Sequence, residues 1–158
     1  MKQGATLFLK AIIFIIGVTV LVLCVFALPQ LASYTAGMYP EYAYLQYPVL
    51  IGLYGTVIPF LVALYQALQL LKFIDQNYAF TDRSASALIY IKYCAVTISI
   101  SYASGALFLM TQSALHPGIA IIGLVIIFTS LVIAIFAGVL QKLLKNALNL
   151  KKENDLTV

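Results

Sequence analysis

Four long stretches of the chain carry no charged residue, and short polar clusters separate them. The first runs from Ala11 to Leu28 and is closed by Pro29. The second runs from about Pro48 to Leu71 and is closed by Lys72. The third covers about Tyr93 to Leu115, the fourth about Gly118 to Gln141. Between Lys92 and Lys142 there is no Asp, Glu, Lys or Arg, and His116-Pro117-Gly118 is the one strong turn signal there. A helix that crosses a bilayer needs about 20 apolar residues, and each stretch meets or approaches that length. The runs lack the alternation of a membrane β-barrel strand and are too long for one. In hydrocarbon every backbone polar group has to be satisfied locally, so an unbroken apolar run reads as helix. The pattern predicts an all-α membrane protein: a four-transmembrane-helix bundle with spans at about 11–28, 48–71, 90–115 and 118–141. No repeat or linker divides it, so 1–158 reads as a single membrane domain.

Composition agrees. Of 158 residues, 63% are hydrophobic and 9% charged, against about a quarter charged in a soluble domain. A soluble fold of this size cannot cover its surface with so few charges, so lipid is the expected solvent. Lys2 and Lys10 before the first run and Ala27 near its end give the outline of a secretory signal. The run exceeds the roughly 7–15 residues of a signal core, so a retained anchor is expected. Leu23 also stands where a lipoprotein site needs a small residue before Cys24. Cys24 and Cys94 fall toward opposite ends of their spans, too far apart for a disulfide. They read as small apolar residues.

The net charge of +4 does not indicate direct nucleic-acid binding, because no stretch joins dense basic residues to a polar DNA-binding scaffold. Its distribution indicates topology instead. Lys2 and Lys10 precede the first span; Lys72, Arg83 and Lys92 flank the middle loop; Lys142, Lys145, Lys151 and Lys152 follow the fourth span. These are all nine basic residues. The segment from Pro29 to Tyr47 has none, nor has the turn at His116. The positive-inside rule then places both termini and the middle loop on the cytoplasmic side of the membrane.

Candidate chemistry is sparse. Ionisable groups inside a membrane usually mark ion or proton paths, and here none lies in the centre of a span. With a single histidine and no intramembrane carboxylate, there is no catalytic, cofactor or metal set, and the chain is not expected to be an enzyme. On the third span Thr97, Ser101 and Ser104, with Tyr90, fall near one helix face. Two readings stand: a lining for a small polar pathway, or interhelical packing by hydroxyls. Pro59 is expected to kink the second span, with Tyr65, Gln66 and Gln69 near its cytoplasmic end. The first outer loop holds Tyr34, Tyr39, Tyr42, Tyr44 and Tyr47, read either as an aromatic belt at the headgroups or as a ligand-facing surface. In the middle loop Thr81 is a good N-cap for the third helix, with Asp82 at its positive end. Leu140, Leu143, Leu144, Ala147 and Leu148 follow helical spacing, with Lys142 and Lys145 opposite. Residues 140–152 therefore read as an amphipathic basic extension, which either lies on anionic lipid or holds a cytoplasmic protein. Residues 153–158 read as a mobile tail.

Several loop and tail segments resemble the bacterial family known as domain of unknown function 2975. They are Gly4 to Lys10, Tyr47-Pro48, Phe73-Ile74-Asp75 through Ala79-Phe80, Ile91 to Ala95, and Leu140-Gln141-Lys142-Leu143 through Lys152 to Val158. The resemblance covers essentially the whole chain. It implies a small four-span protein with no established activity, of a kind often encoded beside a Cro/CI-type helix-turn-helix regulator. The expected function is a membrane-embedded regulatory partner of such a cytoplasmic transcription regulator. Asp75, Phe80, Asp82, Arg83, Lys142, Lys145 and Lys152 form its candidate partner surface. The alternatives are a small transporter or channel subunit, acting as a homo-oligomer, a bacteriocin-immunity-like protein, and a purely structural membrane protein.

Overall fold

A computed structural model describes residues 3–76 and 81–157. In chain order it contains α1 (Gln3–Val22), a π-helical turn (Leu23–Ala27), α2 (Leu28–Met38), a 3₁₀ turn (Pro40–Leu45), α3 (Gln46–Asp75), α4 (Asp82–Thr111) and α5 (Pro117–Thr157). Four helical segments are long and apolar enough to cross a membrane: Gly4–Met38, Pro40–Asp75, Asp82–Thr111 and Pro117–Leu156. The four-helix, all-α architecture is the expected one, and no strand occurs among the described residues.

Pro29 does not end the first span. The helix widens by one residue before it, and the Leu28 amide donates to the Leu23 carbonyl, five residues back. In this register the Cys24 carbonyl would take its hydrogen from residue 29, which as proline has none. The Tyr54 hydroxyl of α3 fills that place, donating to the Cys24 carbonyl at 2.6 Å. A π-turn of this kind is a recognised way for a helix to absorb such a residue. In hydrocarbon, the freed carbonyl needs a partner from outside its own helix. α3 likewise continues through Pro59.

The other helix ends follow local chemistry. Thr81 caps α4, its hydroxyl accepting from the Ser84 amide at 3.3 Å, as its sequence position predicts. At the far end of α4, the Ala114 amide reaches the Leu109 carbonyl and the Ser113 amide the Met110 carbonyl. Together with a left-handed Ser113 (φ 55°) this is a Schellman stop. His116 then starts α5: its Nδ1 accepts from the Gly118 amide at 3.0 Å. α5 continues unbroken to Thr157 and so takes in residues 153–157. Its nucleation cost is already met, and Leu150, Lys151, Lys152 and Glu153 are good helix formers. Lys151 and Asp155 also stand at the favourable i, i+4 spacing. Val158 lies outside the described residues.

The helices pack in a row. α1 lies against α3, α3 against α4, and α4 against α5; the remaining pairings among these four are marginal or absent. The bundle is therefore open rather than closed around an axis. The α4–α5 contact is the most extensive, and small residues make it close. Ser130, Ala134 and Ala137 are buried on α5, as are Ala85, Ala95 and Ser99 on α4. Small side chains let helix backbones approach, which favours association in lipid. At Gly138 of α5 the Lys92 stem lies 3.6 Å from where a Cβ would stand. At the end that lacks basic residues, the two turns meet: Tyr42 donates to the Ser113 carbonyl at 2.8 Å and Tyr44 to Gln112 Oε1 at 2.7 Å. Cys24 and Cys94 are both free.

Tyr54→Phe should lower stability by about 1–3 kcal/mol, the cost of leaving a half-buried carbonyl without a donor. In a Pro29→Ala background the residue-29 amide is restored, and the same substitution should cost less than half as much. Thermal unfolding of the four variants in one detergent measures the coupling.

Candidate functional site

The polar chemistry gathers at the end opposite the joined turns. There Lys10 of α1 donates to Asp75 Oδ2 of α3 at 2.7 Å, the one ion pair among the described residues. Asp75 lies past Lys72, which closes the apolar run of the helix. The Lys10 hydrogen bond holds its carboxyl below the ordinary aspartate range, against the opposite pull of partial burial. The Thr6 hydroxyl and the Lys10 charge act in the same direction as that bond. Thr6 is fully buried. Asp75 is thus a tie between α1 and α3.

Next to it, the last turns of α3 and the first turns of α4 enclose an open groove of about 410 Å³. Tyr65, Gln66, Gln69 and Phe73 form the α3 wall; Asp82, Arg83, Ser86, Ala87 and Tyr90 form the α4 wall. Gln69 donates to the Tyr65 hydroxyl at 2.8 Å. Asp82 and Arg83 are exposed, and neither belongs to the ion pair described above. These side chains stand out in the sequence as separate groups on two helices. The register of α3 against α4 brings them together.

α5 supplies the third feature. It is 41 residues long, about 60 Å at the usual rise, twice what a bilayer core requires. Beyond Leu140 the helix continues without a break. Leu148 is buried and Leu144 and Ala147 are partly covered, as the amphipathic spacing predicts. Leu143 and Leu150 are exposed, and Lys142, Lys145 and Lys152 project from the same extension. Phe80 lies outside the described residues.

The third-span stripe is placed differently. Thr97 and Ser104 are exposed and Ser101 is half-covered. Thr97 donates back to the Tyr93 carbonyl of its own helix at 2.8 Å. Within a single chain Thr97 and Ser104 face outward. The buried hydroxyls of α4 are Ser84 in its first turn and, farther along, Ser99, which donates to the Ala95 carbonyl at 3.1 Å. No group of three metal-ligating side chains occurs among the described residues.

A family described as protein of unknown function (DUF2975) matches residues 30–158. The chain belongs to that family. The DUF2975 match takes in the groove, both turns and the whole of α5, and it leaves out α1 and the π-turn. An uncharacterized membrane protein of Bacillus subtilis (strain 168), YoaS, is 55% identical over 160 residues, covering 100% of both proteins. No solved structure matches the chain. With four helices able to cross a bilayer, this DUF2975 member is a multi-pass membrane protein.

Because the Asp75 pKa is depressed in the folded state, its contribution is present above the unfolded value. It is lost as pH falls through the folded one. Thermal stability in detergent should therefore fall as pH drops through the ordinary aspartate range and on toward the lower folded value. Asp75→Asn should lower stability at pH 7 and flatten that acid-side decline.

Proposed function

We propose that this DUF2975 protein is a membrane-embedded regulatory partner that holds a cytoplasmic transcription regulator on the projecting part of α5. The observation that carries the reading is the exposed leucine pair on that extension. Leu150 lies about 15 Å along the helix from Leu140, where the apolar run ends. The headgroup layer is only about 5–7 Å deep on each side of the core. A helix that keeps its direction carries Leu150 beyond the reach of lipid. Leu143 and Leu150 stand two turns apart on one face, with lysines alongside, and such a face fits a groove on a soluble protein.

Two further points support the reading. The nine Lys and Arg residues put the α5 extension on the cytoplasmic side by the positive-inside rule. The family resemblance implies a helix-turn-helix regulator encoded nearby, which would supply a partner. Regulation requires two states of the membrane domain that differ by a few kcal/mol and a partner that prefers one. A row of helices with few cross-contacts is suited to that.

Orientation is checked with single cysteines at Lys152 and at Glu41 in a cysteine-free background, labelled in intact cells with a membrane-impermeant thiol reagent. Glu41→Cys should label and Lys152→Cys should not. The partner is checked by brief crosslinking in the native cell, mild-detergent purification of a tagged copy and mass spectrometry. One near-stoichiometric soluble helix-turn-helix protein is expected, lost on truncation after Leu140 and reduced at least tenfold by Leu143→Glu with Leu150→Glu. Recovery of only further copies of the chain, or of another membrane subunit, would overturn the proposal.

A further inference from the structure

The groove between α3 and α4 has a charge pattern that the partner reading does not use. Its α4 wall offers one carboxylate, Asp82, and one guanidinium, Arg83, both exposed. Neither belongs to the single ion pair among the described residues. A simple anion would meet Arg83 but be opposed by Asp82; a simple cation would meet the reverse. A ligand that carries both charges a few ångströms apart satisfies the pair. The α3 wall adds the Gln66 amide, and Tyr65 and Tyr90 supply hydroxyls and ring faces. Ring faces attract an ammonium group, and a guanidinium fork suits phosphate oxygens.

Position narrows the class of ligand. On α3 the groove opens where the apolar run gives way to Lys72, which is the headgroup level of a bilayer for that helix. From its mouth an exposed track climbs α4 through Tyr93, Thr97, Ile100, Ser104 and Leu107, at alternating spacings of four and three that keep to one helix face. The Thr97 hydroxyl is turned back to the Tyr93 carbonyl, so its donor is satisfied within its own helix. A groove with both charges on its α4 wall and an exposed, uncharged track above it matches a lipid, headgroup down and acyl chains along the helix.

We propose that the α3–α4 groove is a binding site for a zwitterionic phospholipid headgroup of the phosphoethanolamine type. Arg83 and the Gln66 amide take the phosphate. Asp82 takes the ammonium, with Tyr65 and Tyr90 walling it. This assigns Asp82 and Arg83 to lipid and leaves the α5 extension as the surface for protein. It does not depend on any soluble partner.

The test uses the full-length protein, delipidated in mild detergent and given equimolar phosphatidylethanolamine and phosphatidylglycerol of the same acyl chains. Native mass spectrometry counts the retained lipid. The wild type should retain phosphatidylethanolamine about tenfold over phosphatidylglycerol. Asp82→Asn should bring the ratio to near one, since the ammonium loses its partner. Arg83→Gln should cut retention of both lipids by about tenfold. Lys145→Gln, on α5, should change neither. A second readout needs no variant: phosphatidylethanolamine should raise the wild-type melting temperature by several degrees more than phosphatidylglycerol does. Equal retention and equal protection by the two lipids would overturn the proposal. So would a preference for phosphatidylglycerol, which marks an anion site, or a soluble protein that displaces both lipids from the groove.

Discussion

Hydrocarbon offers a backbone carbonyl no water, and the arrangement of this chain turns on that constraint. A proline in the first span would leave an acceptor stranded in lipid. The Cys24 carbonyl is not stranded, because Tyr54 from α3 reaches it. The wide turn from Leu23 to Ala27, the continuation of the helix to Met38 and the attachment of α1 to α3 are parts of one solution. The same demand accounts for the ends of the other helices. Ser113 takes a left-handed conformation to close α4, and His116 supplies an acceptor to open α5. Each device is worth only about 1 kcal/mol in water, but in lipid the alternative is a bare polar group.

Packing is layered on this frame. α4 is the hinge pin of the row, with α3 on one side and α5 on the other, and its buried side is mostly Ala and Ser. Such a surface buries little apolar area per residue. Close approach and many weak dispersion contacts replace the large core of a soluble bundle. The extensive exposed apolar surface is the expected counterpart, since lipid and not protein covers it.

Much of this was legible from the chain alone, and the exceptions have a common cause. Four uncharged runs are enough for four helices, because the period and the solvent decide together. Thr81 as a cap and the amphipathic start of the α5 extension are also local facts, readable from a few neighbours. Pro29 is not: whether a proline stops a span depends on a tyrosine 25 positions later that can complete the turn. The Lys10–Asp75 pair joins residues 65 apart, and a single helix period says nothing about such a register. The groove is the same case. Tyr65, Gln66 and Gln69 are visible as a polar group on one helix, Asp82, Arg83 and Tyr90 on another. Only the offset between α3 and α4 makes them one site. Thr97, Ser101 and Ser104 show the opposite side of the problem, since a hydroxyl stripe looks alike whether it faces a neighbour or lipid.

The attachment of α1 carries a consequence for how the protein is made. Its ion pair at Lys10, its packing contact at Gly17 against Leu64 and its carbonyl contact at Cys24 all lie on α3. α1 enters the bilayer first, yet nothing on α1 itself determines which way it faces around its own axis. Three contacts spread along the first transmembrane segment, all to α3, fix that rotation and supply the donor beside Pro29. The rotational setting of the first segment in the bilayer therefore depends on α3 being beside it, and the first half of the molecule is assembled as a pair rather than helix by helix.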